Sequence, residues 1–140
     1  LRTTYTQGTT MTTVAKDVKN PLRDLDTFTR VYVEAALWSS TDDNDQPLDR
    51  NYSWTDMAED TLQEIIDDCH ALQEASGDDL AGNYRKGGYD FWLTRNGHGA
   101  GFWDGDWPEA EGERLTEASK AFGEYNLYVG DDGKIHGCKG

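Results

Sequence analysis

The stretch YDFWLTRNGHGAGFWDGDW, residues 89–107, holds three of the five tryptophans and a glycine-rich loop found nowhere else in the chain. Over residues 89–94, Tyr, Phe and Leu alternate with Asp, Trp and Thr, which is the two-residue period of a β-strand. Asn96 and Gly97 are typical turn residues, and Phe102 and Trp103 begin a second apolar run. We therefore predict a β-hairpin whose tryptophans, Trp92 and Trp103, belong to the core.

The rest of the chain predicts three helices and a second hairpin. Asp24 or Asp26 can cap a first helix that ends near Ser39, and Ser53 with Asp56 approximates a capping box before a second helix over residues 54–76. Residues 78–88 are predicted to be a connection, residues 112–122 a third helix and residues 125–136 a hairpin that turns at residues 130–133.

The predicted fold class is α+β. Two N-terminal helices, the second long and acidic, are followed by hairpin, helix and hairpin, which form a small antiparallel sheet packed on the helices. We interpret residues 1–20 as a flexible N-terminal extension and residues 21–140 as a single α+β domain.

Composition indicates a globular protein without a membrane span. Of 140 residues, 36% are hydrophobic and 11% aromatic, which is enough to build a core. No apolar run approaches the roughly 18 residues of a transmembrane helix, and the first residues lack the pattern of a secretory signal. Cys69 and Cys138 do not suggest a disulfide framework, so we expect a cytoplasmic protein.

The net charge of −14 is concentrated in one part of the chain. Residues 31–84 contain fourteen Asp and Glu against Arg50 alone, whereas the other residues are nearly balanced. Such a segment should repel nucleic acid and anionic membranes and attract basic protein surfaces.

The second helix carries most of this charge on one face that has no lysine or arginine. Carboxylates four residues apart repel each other by a few tenths of a kcal/mol, a penalty that mixed charges would avoid. We therefore predict a partner-binding acidic face formed by Asp56, Glu59, Asp60, Glu64, Asp67, Asp68 and Glu74.

Two segments resemble a recurrent pair in small uncharacterised proteins of bacteriophages and prophages. They are DFWLTRNGHGAGFWD, residues 90–104, and LYVGDDGKIHG, residues 127–137. The resemblance covers these segments alone. It implies a phage setting, and hence the cytoplasm of a bacterial host cell, and it assigns no catalytic residue.

The glycine-rich loop offers a second candidate site. Its polar residues could meet across the mouth of the predicted hairpin as a base, a cationic donor and acids: Arg95, Asn96, His98, Asp104 and Asp106. The loop does not lead into a helix, as nucleotide-binding glycine loops do, and no second histidine stands at ligand spacing. Residues 42–53 also lack the spacing of a calcium loop. We predict no cofactor and no metal site.

The leading hypothesis is a phage-type inhibitor or DNA mimic that binds a basic surface on a host protein, one that itself binds nucleic acid. It would bind neither nucleic acid nor membrane itself. A small hydrolase or ligand-binding protein using the loop is one alternative, and a structural or accessory virion protein is another. The sequence indicates no oligomeric state.

Overall fold

The computed structural model describes residues 25–140, which form five α-helices, one short 3-10 helix and a two-stranded antiparallel sheet. The α-helices are α1 (Thr27–Ser39), α2 (Leu48–Asn51), α3 (Glu59–Leu80), α4 (Tyr84–Arg95) and α5 (Glu109–Lys120). The 3-10 helix spans Trp54–Asp56, and the strands are β1 (Tyr125–Val129) and β2 (Ile135–Lys139). The predicted α+β fold class is confirmed. The predicted extension over residues 1–20 lies outside the described residues.

Helix α1 lies in the centre of the core. The Asp26 carboxylate caps it by accepting a hydrogen bond from the backbone N–H of Thr29 at 2.8 Å. One stripe of this helix, with Thr27, Glu34 and Trp38, is exposed, and buried residues cover its other sides: Phe28, Thr29, Val31, Tyr32, Val33, Ala35, Ala36 and Leu37. Other elements must therefore cover these buried sides, and α2, α3 and α4 all contact α1. The predicted first helix, capped by Asp24 or Asp26 and ending near Ser39, is confirmed, with Asp26 as its cap.

The predicted hairpin over residues 89–107 is wrong, because residues 84–95 form α4. Gly87 and Gly88, predicted to lie in a connection, are inside this helix. A Cβ on Gly88 would overlap the carbonyl oxygen of Phe28, so glycine allows the backbones of α1 and α4 to approach closely. Residues 90–95 are all buried, and a segment buried on every side shows no helical period in its polarity.

Aromatic side chains fill the space between α1 and α4. The Tyr32 ring centroid lies 5.3 Å from that of Phe91 and 5.4 Å from that of Trp92. The Trp92 indole N–H donates to the Ser39 hydroxyl at 2.6 Å. Trp92 is thus a core residue as predicted, but Trp103, predicted to belong to the core as well, is 54% exposed.

The predicted acidic helix is present as α3, but both of its ends differ from the prediction. The predicted capping box between Ser53 and Asp56 is present, but it caps the 3-10 helix, and α3 begins only at Glu59. At the other end, the helix is kinked at Ser76, with φ −126°, where the prediction ended it; helical turns then extend to Leu80, and Ala81 follows in a left-handed conformation with φ 51°. The apolar side of α3, opposite its acidic face, contacts the core through Leu62, Ile65, Cys69 and Leu72.

The C-terminal half contains α5 and the confirmed second hairpin. Helix α5 starts at Glu109, three residues before the predicted start. Strands β1 and β2 pair with Leu127 opposite Gly137. The backbone N–H of Ala58 donates to the carbonyl oxygen of Ile135 at 2.9 Å, next to the start of α3. The sheet therefore packs on the helices, with two strands among the described residues because the first hairpin is a helix.

Candidate functional site

Four of the seven carboxylates predicted to bind a partner are exposed on α3. None of the four has a cationic group within ion-pair distance among residues 25–140. We call this set the acidic row: Glu59, Asp60, Asp67 and Glu74. At 1.5 Å of rise per residue, the row extends over about 22 Å of helix.

The other three carboxylates are partly buried and have partners within the fold. Asp56 accepts the backbone N–H of Ser53 at 2.9 Å in the capping box. Glu64 accepts the Tyr125 hydroxyl at 2.9 Å, and the Lys139 ammonium lies 4.0 Å from it. Burial raises the pKa of Tyr125, and the hydrogen bond to Glu64 and then the charge of Glu64 raise it further, so this hydroxyl stays protonated and donates. These carboxylates stabilise the fold.

Asp68 pairs with Arg95, the most enclosed cation of the described residues. The Arg95 side chain is 0% exposed, and its guanidinium lies 3.0 Å from the Asp68 carboxylate. The guanidinium also donates to the Tyr32 hydroxyl at 3.1 Å and to the carbonyl oxygens of Phe122 and Gly123 at 3.2 and 2.8 Å. Arg95 thus links α3, α1 and the end of α5, because those two carbonyls follow the last turn of α5.

Three aromatic rings enclose the same guanidinium. Its central carbon lies 5.4 Å from the ring centroid of Phe91, 5.6 Å from that of Phe122 and 5.3 Å from that of Tyr125. A buried charge is tolerated when hydrogen bonds and an opposite charge replace its water, and this site provides both. Arg95 is therefore a structural residue and does not reach the glycine-rich loop.

Asn96 is also used inside the fold. Its side-chain N–H donates to the carbonyl oxygen of Trp92 at 3.0 Å, and its side-chain oxygen accepts the backbone N–H of Tyr125 at 2.9 Å. The amide therefore connects the C-terminal end of α4 to the start of β1. Arg95 and Asn96, assigned to the loop site from sequence, hold the core together instead.

The remaining loop residues do not assemble a catalytic arrangement. The Asp104 carboxylate accepts the backbone N–H groups of Gly101 and Asp106, each at 3.3 Å. The backbone N–H of His98 donates to Leu93 at 3.0 Å. Among residues 25–140, no hydrogen bond or ion pair joins the His98 side chain to either aspartate. The hydrolase alternative thus lacks the cation and the base–acid contact that it required.

Asp90 is a buried carboxylate of α4 that positions the loop. It accepts the indole N–H of Trp107 at 2.7 Å. Burial raises the pKa of Asp90 above its ordinary value, and the carboxylates of Asp104 and Asp106 add to the effect, although the hydrogen bond from Trp107 opposes it. The loop between α4 and α5 is thereby fixed to the core at Trp107.

A cleft of about 460 Å³ lies between residues 102–108 and the first two turns of α5. Sequence reasoning did not predict it, because residues 102–107 were assigned to a strand. One signal was available: Trp107-Pro108-Glu109, a proline followed by acidic residues, is typical of a helix start. That signal would have placed the start of α5 at Glu109, but not the packing of α5 against the preceding loop that forms the cleft.

The described part of the chain has neither a cluster of metal ligands nor a membrane-spanning helix. Residues 25–140 contain no group of three or more His, Cys, Asp or Glu side chains that could hold a metal ion. Within the same residues, no helix combines the length and the apolar character needed to cross a membrane. Comparisons with protein-family models, with curated proteins and with solved structures found no match to this chain.

Proposed function

We propose that this protein binds a basic surface of another protein through the acidic row, Glu59, Asp60, Asp67 and Glu74. The observation that carries the proposal is that these four carboxylates are exposed on one helix and have no cationic partner among residues 25–140. A basic surface would supply the opposite charge that the fold does not. Such complementarity accelerates association and disfavours acidic partners.

The proposed partner is a nucleic-acid-binding protein of a bacterial host, which this protein inhibits, as an anti-restriction or anti-CRISPR factor would. The acidic excess of residues 31–84 favours a partner surface that normally contacts phosphate. The resemblance of residues 90–104 and 127–137 to phage proteins favours a host target. The acidic excess and the resemblance both indicate a class of partner, and affinity capture identifies the partner itself.

The charge density of the acidic row sets the degree of DNA mimicry. Four charges over about 22 Å are separated by roughly 7 Å on average, whereas one DNA strand carries a charge about every 3.4 Å. The row therefore offers about half the charge density of a single strand. We expect contacts other than charge to contribute to the affinity for the partner.

Affinity capture from host lysate tests the proposal. We expect one host protein that is retained at about 0.15 M salt and released at about 0.5 M, because salt screens exposed charges. The same host protein should bind duplex DNA, and this protein should displace the DNA. Direct binding of this protein to duplex DNA at physiological salt would contradict the proposal.

A charge-reversal variant then locates the binding surface. Changing Glu59, Asp60, Asp67 and Glu74 to lysine should abolish partner binding with the circular dichroism spectrum unchanged. The matched control reverses four exposed acids on other elements, with the same change in net charge: Glu34, Glu117, Glu124 and Asp131. The control should keep most of the affinity. Equal loss in both variants would mean that net charge alone governs binding and would rule out the acidic row as the site.

A further inference from the structure

The cleft beside α5 combines an exposed aromatic ring with carboxylates. Trp103 lines the cleft and is 54% exposed, and among residues 25–140 no other ring and no cation contacts its indole. Glu109 and Glu113, one turn apart on α5, line the same cleft. Neither glutamate has a cationic partner in the described part of the chain. The cleft thus presents a free π face near free negative charge.

Contacts with the core hold the walls of the cleft in place. The rings of Phe102 and Trp107 meet edge to face with their centroids 5.2 Å apart, and the Trp107 indole is bonded to buried Asp90. A Cβ on Gly112 would lie 2.7 Å from the carbonyl oxygen of Phe102, so glycine lets α5 approach the loop closely. A site with fixed walls loses little conformational entropy when it is occupied.

The charges around the cleft favour a cation. Asp104 and Asp106 in the loop add to the two glutamates, against Lys86. The Lys86 ammonium lies 4.7 Å from the ring centroid of Trp107 and donates to the carbonyl oxygen of Asp106 at 2.6 Å. An aromatic ring of this cleft therefore already has a cation over its face, while the Trp103 ring has none.

We propose that this cleft binds an arginine side chain that the basic partner presents, an assignment that rests on the proposed function. A guanidinium is flat, so it can stack on Trp103 while its N–H groups reach the carboxylate of Glu113 or Glu109. A lysine ammonium offers neither the flat face nor the fork of donors. One such contact would add specificity to the sparse charge of the acidic row.

Two short peptides test the assignment independently of the partner. Acetyl-Gly-Arg-Gly-amide and acetyl-Gly-Lys-Gly-amide have the same charge and are titrated into ¹⁵N-labelled protein while the indole N–H signals are followed by NMR. We expect the arginine peptide to shift the Trp103 signal and to bind about five-fold more tightly than the lysine peptide.

Variants separate the cleft from the rest of the surface. Trp103→Ala and Glu113→Gln should each weaken binding of the arginine peptide by about five-fold or more. Trp38→Ala, which removes a tryptophan that is 57% exposed on α1, should leave binding unchanged. Circular dichroism checks the fold, and Glu113→Gln keeps the test decisive if Trp103→Ala is unstable, because Glu113 is exposed.

The outcomes distinguish this inference from the proposed function. Equal affinity for both peptides would contradict arginine binding in the cleft, and so would an affinity for the arginine peptide that Trp103→Ala and Glu113→Gln leave unchanged. Neither result would contradict partner binding by the acidic row. Reversal of the acidic row should abolish partner binding and spare the arginine peptide. If the cleft variants lose the peptide but bind the partner with undiminished affinity, the partner's arginine is not the occupant.

Discussion

Replacing Arg95 with methionine should destabilise the protein by about 3 kcal/mol, the lower end of the range for removing one partner of a buried ion pair. The change removes a guanidinium with a 0% exposed side chain that contacts Asp68 at 3.0 Å. Two features of the structure reduce the penalty. The Asp68 side chain is 14% exposed and keeps Lys139 at 3.8 Å, and Gly123, whose carbonyl loses its donor, is open to water.

Urea unfolding followed by tryptophan fluorescence measures this difference, and the thermal midpoint should fall by about 10 °C for a domain of this size. Arg114→Met is the matched control, because Arg114 also pairs with an aspartate, at 2.7 Å, but its side chain is 60% exposed. We expect a far smaller effect there, since solvent screens exposed pairs.

A second substitution tests whether the penalty arises from the stranded carboxylate. Adding Asp68→Leu to Arg95→Met should restore part of the lost stability, because the double variant leaves no uncompensated buried charge. If Arg95→Met unfolds at the same urea concentration as Arg114→Met, Arg95 does not hold the three helices together and the reasoning fails.

Three further predictions concern α4 and its surroundings. Gly88→Ala should destabilise the protein by about 1–3 kcal/mol or more in urea unfolding, because the new methyl overlaps the α1 backbone. Gly77→Ala, with nothing within 4 Å, should instead stabilise α3 by about 0.5–1 kcal/mol. Asp90→Asn keeps an oxygen acceptor and removes a carboxylate whose pKa is raised by burial. The variant should therefore be more stable than the unchanged protein at pH values above 3.8, the ordinary pKa of aspartate, and equally stable below that pH. Thermal melts from pH 3 to 7 measure this difference. Trp92→Ala should lower stability by about 3–5 kcal/mol, whereas Trp103→Ala should leave the melting temperature nearly unchanged. Equal effects within any of these pairs, or a pH-independent gain for Asp90→Asn, would contradict the packing described here.

Elements with one apolar face could be predicted from the sequence. The acid-capped α1, the long amphipathic α3 and the C-terminal hairpin with its glycine turn all carry local signals. Helix α4 could not, because residues 90–95 are buried on every side and the two glycines that permit its crossing with α1 are typical of a loop. The cleft depends on where α5 meets the preceding loop, which is a tertiary property.

The sequence also could not show which carboxylates of the predicted acidic face are exposed and which have partners within the fold. Glu64 and Asp68 follow the same helical spacing as the exposed carboxylates, but their partners, Tyr125 and Arg95, lie 61 and 27 residues further along the chain. No local pattern reports a contact over such a separation. Part of the apparent like-charge penalty on α3 is therefore offset by cations and donors from α4 and the hairpin.

This division determines how the binding hypothesis must be tested. A reversal that includes Glu64 would place a lysine beside Lys139 and remove the acceptor of a buried tyrosine hydroxyl, so loss of binding could reflect a damaged hairpin. Reversal at Asp68 would put two positive charges together at Arg95. Changes confined to the acidic row avoid both contacts, because its four side chains have no cationic partner to lose among residues 25–140. Glu59 and Asp60 lie in the first turn of α3, where acids favour the helix dipole, so the binding assay of this set is paired with circular dichroism to separate binding from folding.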